Sequence, residues 1–392
     1  YYYFMTDRKN LLIYFFIFIC SFILLYMVSV FALNPAIDTG RELYIPLRML
    51  NGEVLYKDIF NIYGPLAYQI NEFAYLTFGA KIHSLRIFGV LNLMILICSV
   101  WFIFKEFYGI IYSKGLQEEI FFIFICLIVF PASIFNYILP YSFALTYVLC
   151  FCILSLLFLI KFSKTDSKKF AYLACLFAGG AVCCKYEFFA YLIFLLLFIL
   201  FCKKPKTILF SFLSLLILPI ISYGTLFLQG MTFDDLTKTF QVMQTMARTD
   251  AINYLYSNFT GTYFNLNVFA LCLSKTLILG VIGVILYYSQ KLFKTDRFLS
   301  ALVLLFSIVG IIWVGTVGFS LFAIINALLF LIFFKKIYQN KPVFVLMLSS
   351  FLLSLKTFFA VNIESYGIYT LPFIIVSIFI FLDKTEFSQD AE

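Results

Sequence analysis

Residues 34–86 read NPAIDTGRELYIPLRMLNGEVLYKDIFNIYGPLAYQINEFAYLTFGAKIHSLR. The stretch lies between two long apolar runs. It gathers Asp38, Arg41, Glu42, Arg48, Glu53, Lys57, Asp58 and Glu72, with three Pro and four Gly. Connections between membrane helices usually take a handful of residues, and one this long is usually functional. Its polar residues recur among Tyr, Phe, Leu and Ile, as on short amphipathic helices at a membrane surface. The stretch therefore reads as a long outer first loop carrying amphipathic helices.

Working outward, the flanks are lipid-compatible. Of 392 residues, 64% are apolar and 12% charged, about half the charge of a soluble domain. The composition predicts an all-α, polytopic transmembrane helical bundle forming one domain over residues 1–392, and excludes a soluble core. Met5 is read as a natural start, so Tyr1 to Phe4 are set aside. The run Leu11 to Leu33 matches the ~20 residues of a span and shows no cleavage pattern. The ten cysteines sit almost all inside apolar runs and read as small packing residues.

Taken in order, the apolar runs predict about twelve spans of about 20 residues. Residues 229–265 form a second outer loop. With the N-terminus inside, about 18 Lys and Arg face about 10 Asp and Glu on the inner side, as the positive-inside rule requires. The formal net charge of +8 is then a topology signal rather than a nucleic-acid signature. Phe170–Cys184 and Phe188–Cys202 form a short hairpin. Each rises only about 22 Å against about 30 Å of hydrocarbon. Lys185, Tyr186 and Glu187 at its tip should lie below the outer headgroups, where charges need a watery cavity or each other. Lys356, deep in an apolar run near the last outer turn, poses the same demand.

The ordered series Asp38-Thr39-Gly40-Arg41-Glu42, Pro46-Leu47-Arg48-Met49-Leu50-Asn51-Gly52-Glu53, Leu55-Tyr56-Lys57-Asp58-Ile59-Phe60, Tyr63-Gly64-Pro65-Leu66, Phe78-Gly79 and Arg86 resembles the membrane glycosyltransferases of the GT-C fold. The nearest branch is the bacterial dolichyl-phosphate-mannose protein mannosyltransferase-like and lipid A aminoarabinose transferase-like families. The likeness covers this loop well. Elsewhere it rests on the number of spans, the Lys-Tyr-Glu hairpin and the turn before Leu371-Pro372. It implies sugar transfer, with inversion, from a polyprenyl-phosphate donor to a glycan, lipid or protein acceptor. The site would face outward from a bacterial inner membrane.

That chemistry needs a carboxylate to take the acceptor's proton and a cation for the departing phosphate. By resemblance Asp38 is the candidate base, although it could equally cap a helix starting at Thr39. Glu42, one turn on, would assist Asp38 or pair with Arg41. Asp58 is a candidate acceptor or metal contact, or a solvated loop carboxylate. Lys185 and Lys356 are candidates for the donor phosphate, with Glu187 and Tyr186 beside it. Lys185 and Glu187 could instead neutralise each other, and Lys356 could snorkel. Arg86 reads as an anchor of the second span. Asp234 and Asp235 read as a helix N-terminus. A divalent cation is the one cofactor left open, and the residues specify neither sugar nor acceptor. Two other readings stand beside the enzyme. A transporter or flippase of lipid-linked sugars would spread charge through mid-span positions. A non-catalytic assembly subunit is disfavoured by the polar outer loop.

Overall fold

The computed structural model describes residues 19–27, 37–108, 138–140, 142–202, 205–251, 266–292, 297–314, 321–355 and 367–384. Among them the chain is helical, and the only β-type pairing is an isolated bridge between Leu55 and Ile59. Residues 19–27 form α1. Then follow α2 (Ile37–Leu50), α3 (Pro65–Phe78), α4 (Ile82–Tyr108), α5 (Phe143–Thr165), α6 (Lys168–Cys184), a 3₁₀ turn (Tyr186–Phe188), α7 (Phe189–Cys202) and α8 (Pro205–Leu228). The remainder is α9 (Phe233–Ala247), α10 (Leu266–Leu292), α11 (Arg297–Val314), α12 (Phe322–Ile332), α13 (Phe334–Gln339), α14 (Lys341–Leu353) and α15 (Gly367–Lys384). Among the described residues, three helices are long and apolar enough to cross a membrane: α4 over 82–107, α5 over 143–165 and α8 over 206–228. The chain is a helical membrane protein.

Burial separates the spans by role. The apolar window of α5 is 83% buried and that of α8 only 22%, so α5 is a central post and α8 shows lipid most of its surface. Small residues let α6 press against its neighbours. A Cβ on Gly179 would lie 2.0 Å from the Leu215 carbonyl oxygen, so this α6–α8 approach needs the glycine. Ser155 on α5 donates to the Ala174 carbonyl of α6 (2.8 Å), and Tyr191 of α7 donates to Ser155 (2.9 Å). Polar groups that lipid could not satisfy thus stitch three helices together.

The ring contacts fix directions. Phe158 stacks on Phe170 and on Phe177, and Phe151 meets Phe177, so α5 and α6 run antiparallel. Tyr191 meets α5 at Ser155 and Phe198 meets it at Phe162, so α7 runs with α5. The chain does turn back at Lys185–Glu187, as the short apolar runs predict. The start of α5, the end of α6 and the start of α7 therefore lie at one end of the bundle. The end of α8 joins them, because Tyr147 near the start of α5 donates to Asn71 of α3 and Gln69 of α3 donates to Ser222 and Thr225. At the opposite end Lys161 pairs with Glu106 (3.5 Å) and Lys164 lies over Phe107.

The second polar loop opens as the sequence suggests. Thr232 and Asp235 form a capping box at the start of α9. The Thr232 hydroxyl accepts from the Asp235 N–H, and the Asp235 carboxylate accepts from the Thr232 N–H, closing two of the donors a helix start leaves open. Replacing Thr232 with alanine should cost about 1 kcal/mol of local helix stability, read as faster amide hydrogen exchange over 233–240 with the rest of the protein unchanged.

Candidate functional site

The site is built where the first loop meets the end of α6. That helix stops at Cys184, and Lys185 is extended (φ −154°, ψ 124°). The stop leaves main-chain carbonyls without helical partners. Gly64 takes one of them, its N–H donating to the Cys184 oxygen at 3.0 Å. A Cβ at Gly64 would stand 1.9 Å from the Cys183 oxygen, so the backbone contact excludes any side chain. Pro65 then starts α3 with no N–H to lose.

This docking sets Tyr63 against two cations. The Lys185 ammonium lies 5.1 Å from the Tyr63 ring centre and the Arg41 guanidinium 5.2 Å from it. Lys185 is only 3% exposed. Its ammonium also pairs with Glu187 at 3.3 Å, so the mutual neutralisation foreseen from their spacing is present. Glu187 itself remains exposed, which leaves the pair open to solvent on one side.

Glu42 is the most enclosed acid in the cluster, with 0% exposure. One carboxylate oxygen accepts from Arg41 (3.1 Å) and Tyr68 (3.1 Å), and the other accepts from the main-chain N–H of Phe143 (3.0 Å). Phe143 is the first residue of α5, and Ser142 provides no side-chain cap. Glu42 therefore caps a spanning helix from a distance, its charge facing the positive end of the helix. Burial pushes its carboxyl above the usual carboxylate range, against the pull of Arg41, the Phe143 N–H and Tyr68. Both of its oxygens are occupied, so of the two roles open to it the structure supports the pairing with Arg41.

Removing that carboxylate has a predictable cost. Glu42→Ala leaves the Phe143 N–H and the Tyr68 hydroxyl buried without acceptors, at about 1–3 kcal/mol each, and the thermal unfolding midpoint should fall accordingly. The pH dependence has a definite sign. A carboxyl held above its ordinary 4.5 binds more protons folded than unfolded. Its contribution is full below 4.5 and is lost as pH rises through the raised folded value. The gap in midpoint between the parent and Glu42→Gln should therefore narrow as pH climbs from about 4.5.

A tyrosine group completes the floor. Tyr186 and Tyr223 share a hydrogen bond of 2.6 Å. Tyr56 stacks on Tyr223, with ring centres 6.4 Å apart, and donates to the Tyr63 carbonyl at 2.6 Å. Burial drives the Tyr56 phenol well above its normal range. Asp58, by contrast, is exposed and turned to structure. Its carboxylate accepts from the Val54 N–H at 2.8 Å, closing the 54–58 turn, while Arg48 donates to its carbonyl.

Of the residues nominated from sequence, the structure brings Glu42, Lys185, Tyr186 and Glu187 to one end of the bundle around Tyr63. Asp58 lies on the same loop, committed to its turn. The side chain of Asp38 and all of Lys356 lie outside the described residues; the Asp38 backbone is in the first turn of α2. Arg86 is buried, with Nε unpartnered, on the first turns of α4. Among the described residues no three His, Cys, Asp or Glu side chains gather as a metal site. Tyr63, Tyr68 and Tyr223 are the participants that sequence reasoning missed. For Tyr223 a signal existed, because Ser222-Tyr223-Gly224-Thr225 is a polar run inside an apolar helix. No family model, no curated protein and no solved structure matches this chain.

Proposed function

We propose that this protein is an integral membrane glycosyltransferase of the GT-C kind, with about twelve spans, moving a sugar from a polyprenyl-phosphate donor to a glycan, lipid or protein acceptor. One observation carries the reading. The loop whose residue series resembles those enzymes is folded onto the Lys185 turn through Gly64 and Tyr63. That gathers cations, a carboxylate and phenols at one end of a spanning bundle. Lys161 and Lys164 lie at the other end, which in this reading is the cytoplasmic side of a bacterial inner membrane, in keeping with the positive-inside tendency. The site then faces outward, as a donor with its lipid in the bilayer and its phosphosugar at the surface requires.

In the reaction an acceptor hydroxyl attacks the anomeric carbon from the side opposite the phosphate. The bond from that carbon to the phosphate oxygen breaks, and polyprenyl phosphate leaves with the electron pair. Asp38 takes the hydroxyl proton. Lys185 meets the charge that grows on the departing phosphate, with Glu187 holding the ammonium until donor arrives. Lys185→Ala should raise the KM for donor and lower kcat, whereas Lys185→Arg, which keeps the charge but changes its shape, should retain part of the activity. Transfer by purified protein in nanodiscs, with a polyprenyl-phosphate sugar as donor, reads both constants. Parent-like kinetics for Lys185→Ala would remove Lys185 from the site. Mass spectrometry of lipid-linked sugars and surface glycans, with and without the gene, tests the activity itself. Unchanged profiles of both would refute it.

A further inference from the structure

Helix α9 leaves the body of the protein with two unlike faces. Asp234, Lys238, Gln241, Thr245 and Arg248 are all exposed and follow one another at i, i+4, i+7, i+11 and i+14, one side of a helix. Phe233, Leu236, Phe240 and Met243 line another side at i, i+3, i+7 and i+10. The protein covers only part of that second side. Leu236 packs on the cluster around Tyr56 and Leu226, and Thr239 is buried. Phe233 remains 77% exposed and Phe240 47% exposed.

What covers the two phenylalanines follows from their neighbours. The Phe233 ring lies 4.7 Å from that of Phe227, at the end of the spanning helix α8, and Leu228 beside it is 91% exposed. The apolar surface of α9 is thus continuous with the lipid-facing surface of α8. An ion pair between Asp234 and Lys238 (2.7 Å) lies on the polar face, as suits a face turned to water.

We propose that α9 lies in the membrane interface, with Phe233 and Phe240 inserted among the lipid chains and the Asp234–Arg248 face in water. Phe240 also touches Tyr186, with ring centres 6.3 Å apart. The helix therefore sets the depth of the Lys185–Glu187 turn, within the ~5–10 Å that an interfacial helix buries. This inference concerns the bilayer alone and stands whether or not the protein transfers sugar.

Single tryptophans at Phe233, Phe240 and Gln241, read against the parent protein in nanodiscs, test it. Lipids brominated on the upper acyl chain should quench Phe233→Trp and Phe240→Trp several-fold more than Gln241→Trp. Equal quenching at all three positions, or quenching confined to the Gln241→Trp protein, overturns the proposal, as does the absence of quenching at either phenylalanine position. In the unaltered protein, a diazirine probe confined to the bilayer should label Phe233 and Phe240 and spare Lys238 and Gln241. Label spread over both faces of α9, or absent from the two phenylalanines, overturns it equally.

Discussion

Gly64→Ala should abolish the folded site and most of the folded protein. The added methyl would stand 1.9 Å from the Cys183 carbonyl oxygen and 2.6 Å from its carbon. Both are main-chain atoms at the end of α6, so no rotamer change relieves the overlap. Ordinary overpacking costs about 1–3 kcal/mol because side chains can shift; here two backbones must separate. Separation breaks the Gly64–Cys184 hydrogen bond and leaves the carbonyl at the end of α6 without its donor. It also lifts Tyr63 away from Lys185. Gly224→Ala is the control. Its Cβ would meet nothing within 4 Å, and alanine favours the helix by about 1 kcal/mol. The expected result is little monodisperse protein for Gly64→Ala and a midpoint at or above the parent's for Gly224→Ala. A Gly64→Ala protein that unfolds at the parent temperature would mean that the first loop does not rest on α6.

The features that local sequence encodes are those the structure repeats. The break at Lys185–Glu187 follows from two apolar runs each too short to span alone, and the capping box at Thr232 follows from Thr-Phe-Asp-Asp. Glu42 was legible only in half. Its neighbour in sequence, Arg41, is its ion-pair partner, but Tyr68 is 26 residues away and the Phe143 N–H 101. No period or motif announces a carboxylate that caps a helix so far along the chain. Gly64 shows the same limit. Tyr-Gly-Pro reads as a turn with a helix start, and the reason for the glycine lies in a carbonyl 119 positions on. The first loop could be nominated from its polarity and length, whereas its seating on α6 is a tertiary fact. Tyr63, Tyr68 and Tyr223 do not stand out in a chain of which aromatic residues make up 21%, which hides any one of them.

Asp38→Asn should lower sugar transfer by about 10²–10⁴-fold, the usual loss when a general base is removed, while insertion, unfolding midpoint and donor binding stay at parent values. The contrast with Glu42 makes the result informative. The two acids stand four residues apart on α2, one helical turn, and the sequence reading makes Asp38 the base and Glu42 its assistant or the partner of Arg41. Glu42 is fully buried and hydrogen-bonded to Arg41, Tyr68 and the Phe143 N–H, so an acceptor hydroxyl arriving from the surface does not reach it. Its removal should therefore act through the fold: a lower midpoint, with weaker donor binding and slower turnover following in step. A base behaves in the opposite way, with kcat collapsing in a protein that is as stable as its parent. Isosteric asparagine keeps the size of Asp38 and removes only the proton acceptor. If purified Asp38→Asn transfers sugar near the parent rate, the base is another acid. Glu187 is then the next to replace, since it is exposed beside Lys185, whereas Asp58 is spent on its own turn. Chelator resolves the remaining ambiguity, because a carboxylate that binds a metal would also fail as asparagine. Activity that survives chelation in the parent and is lost in Asp38→Asn assigns proton transfer to Asp38.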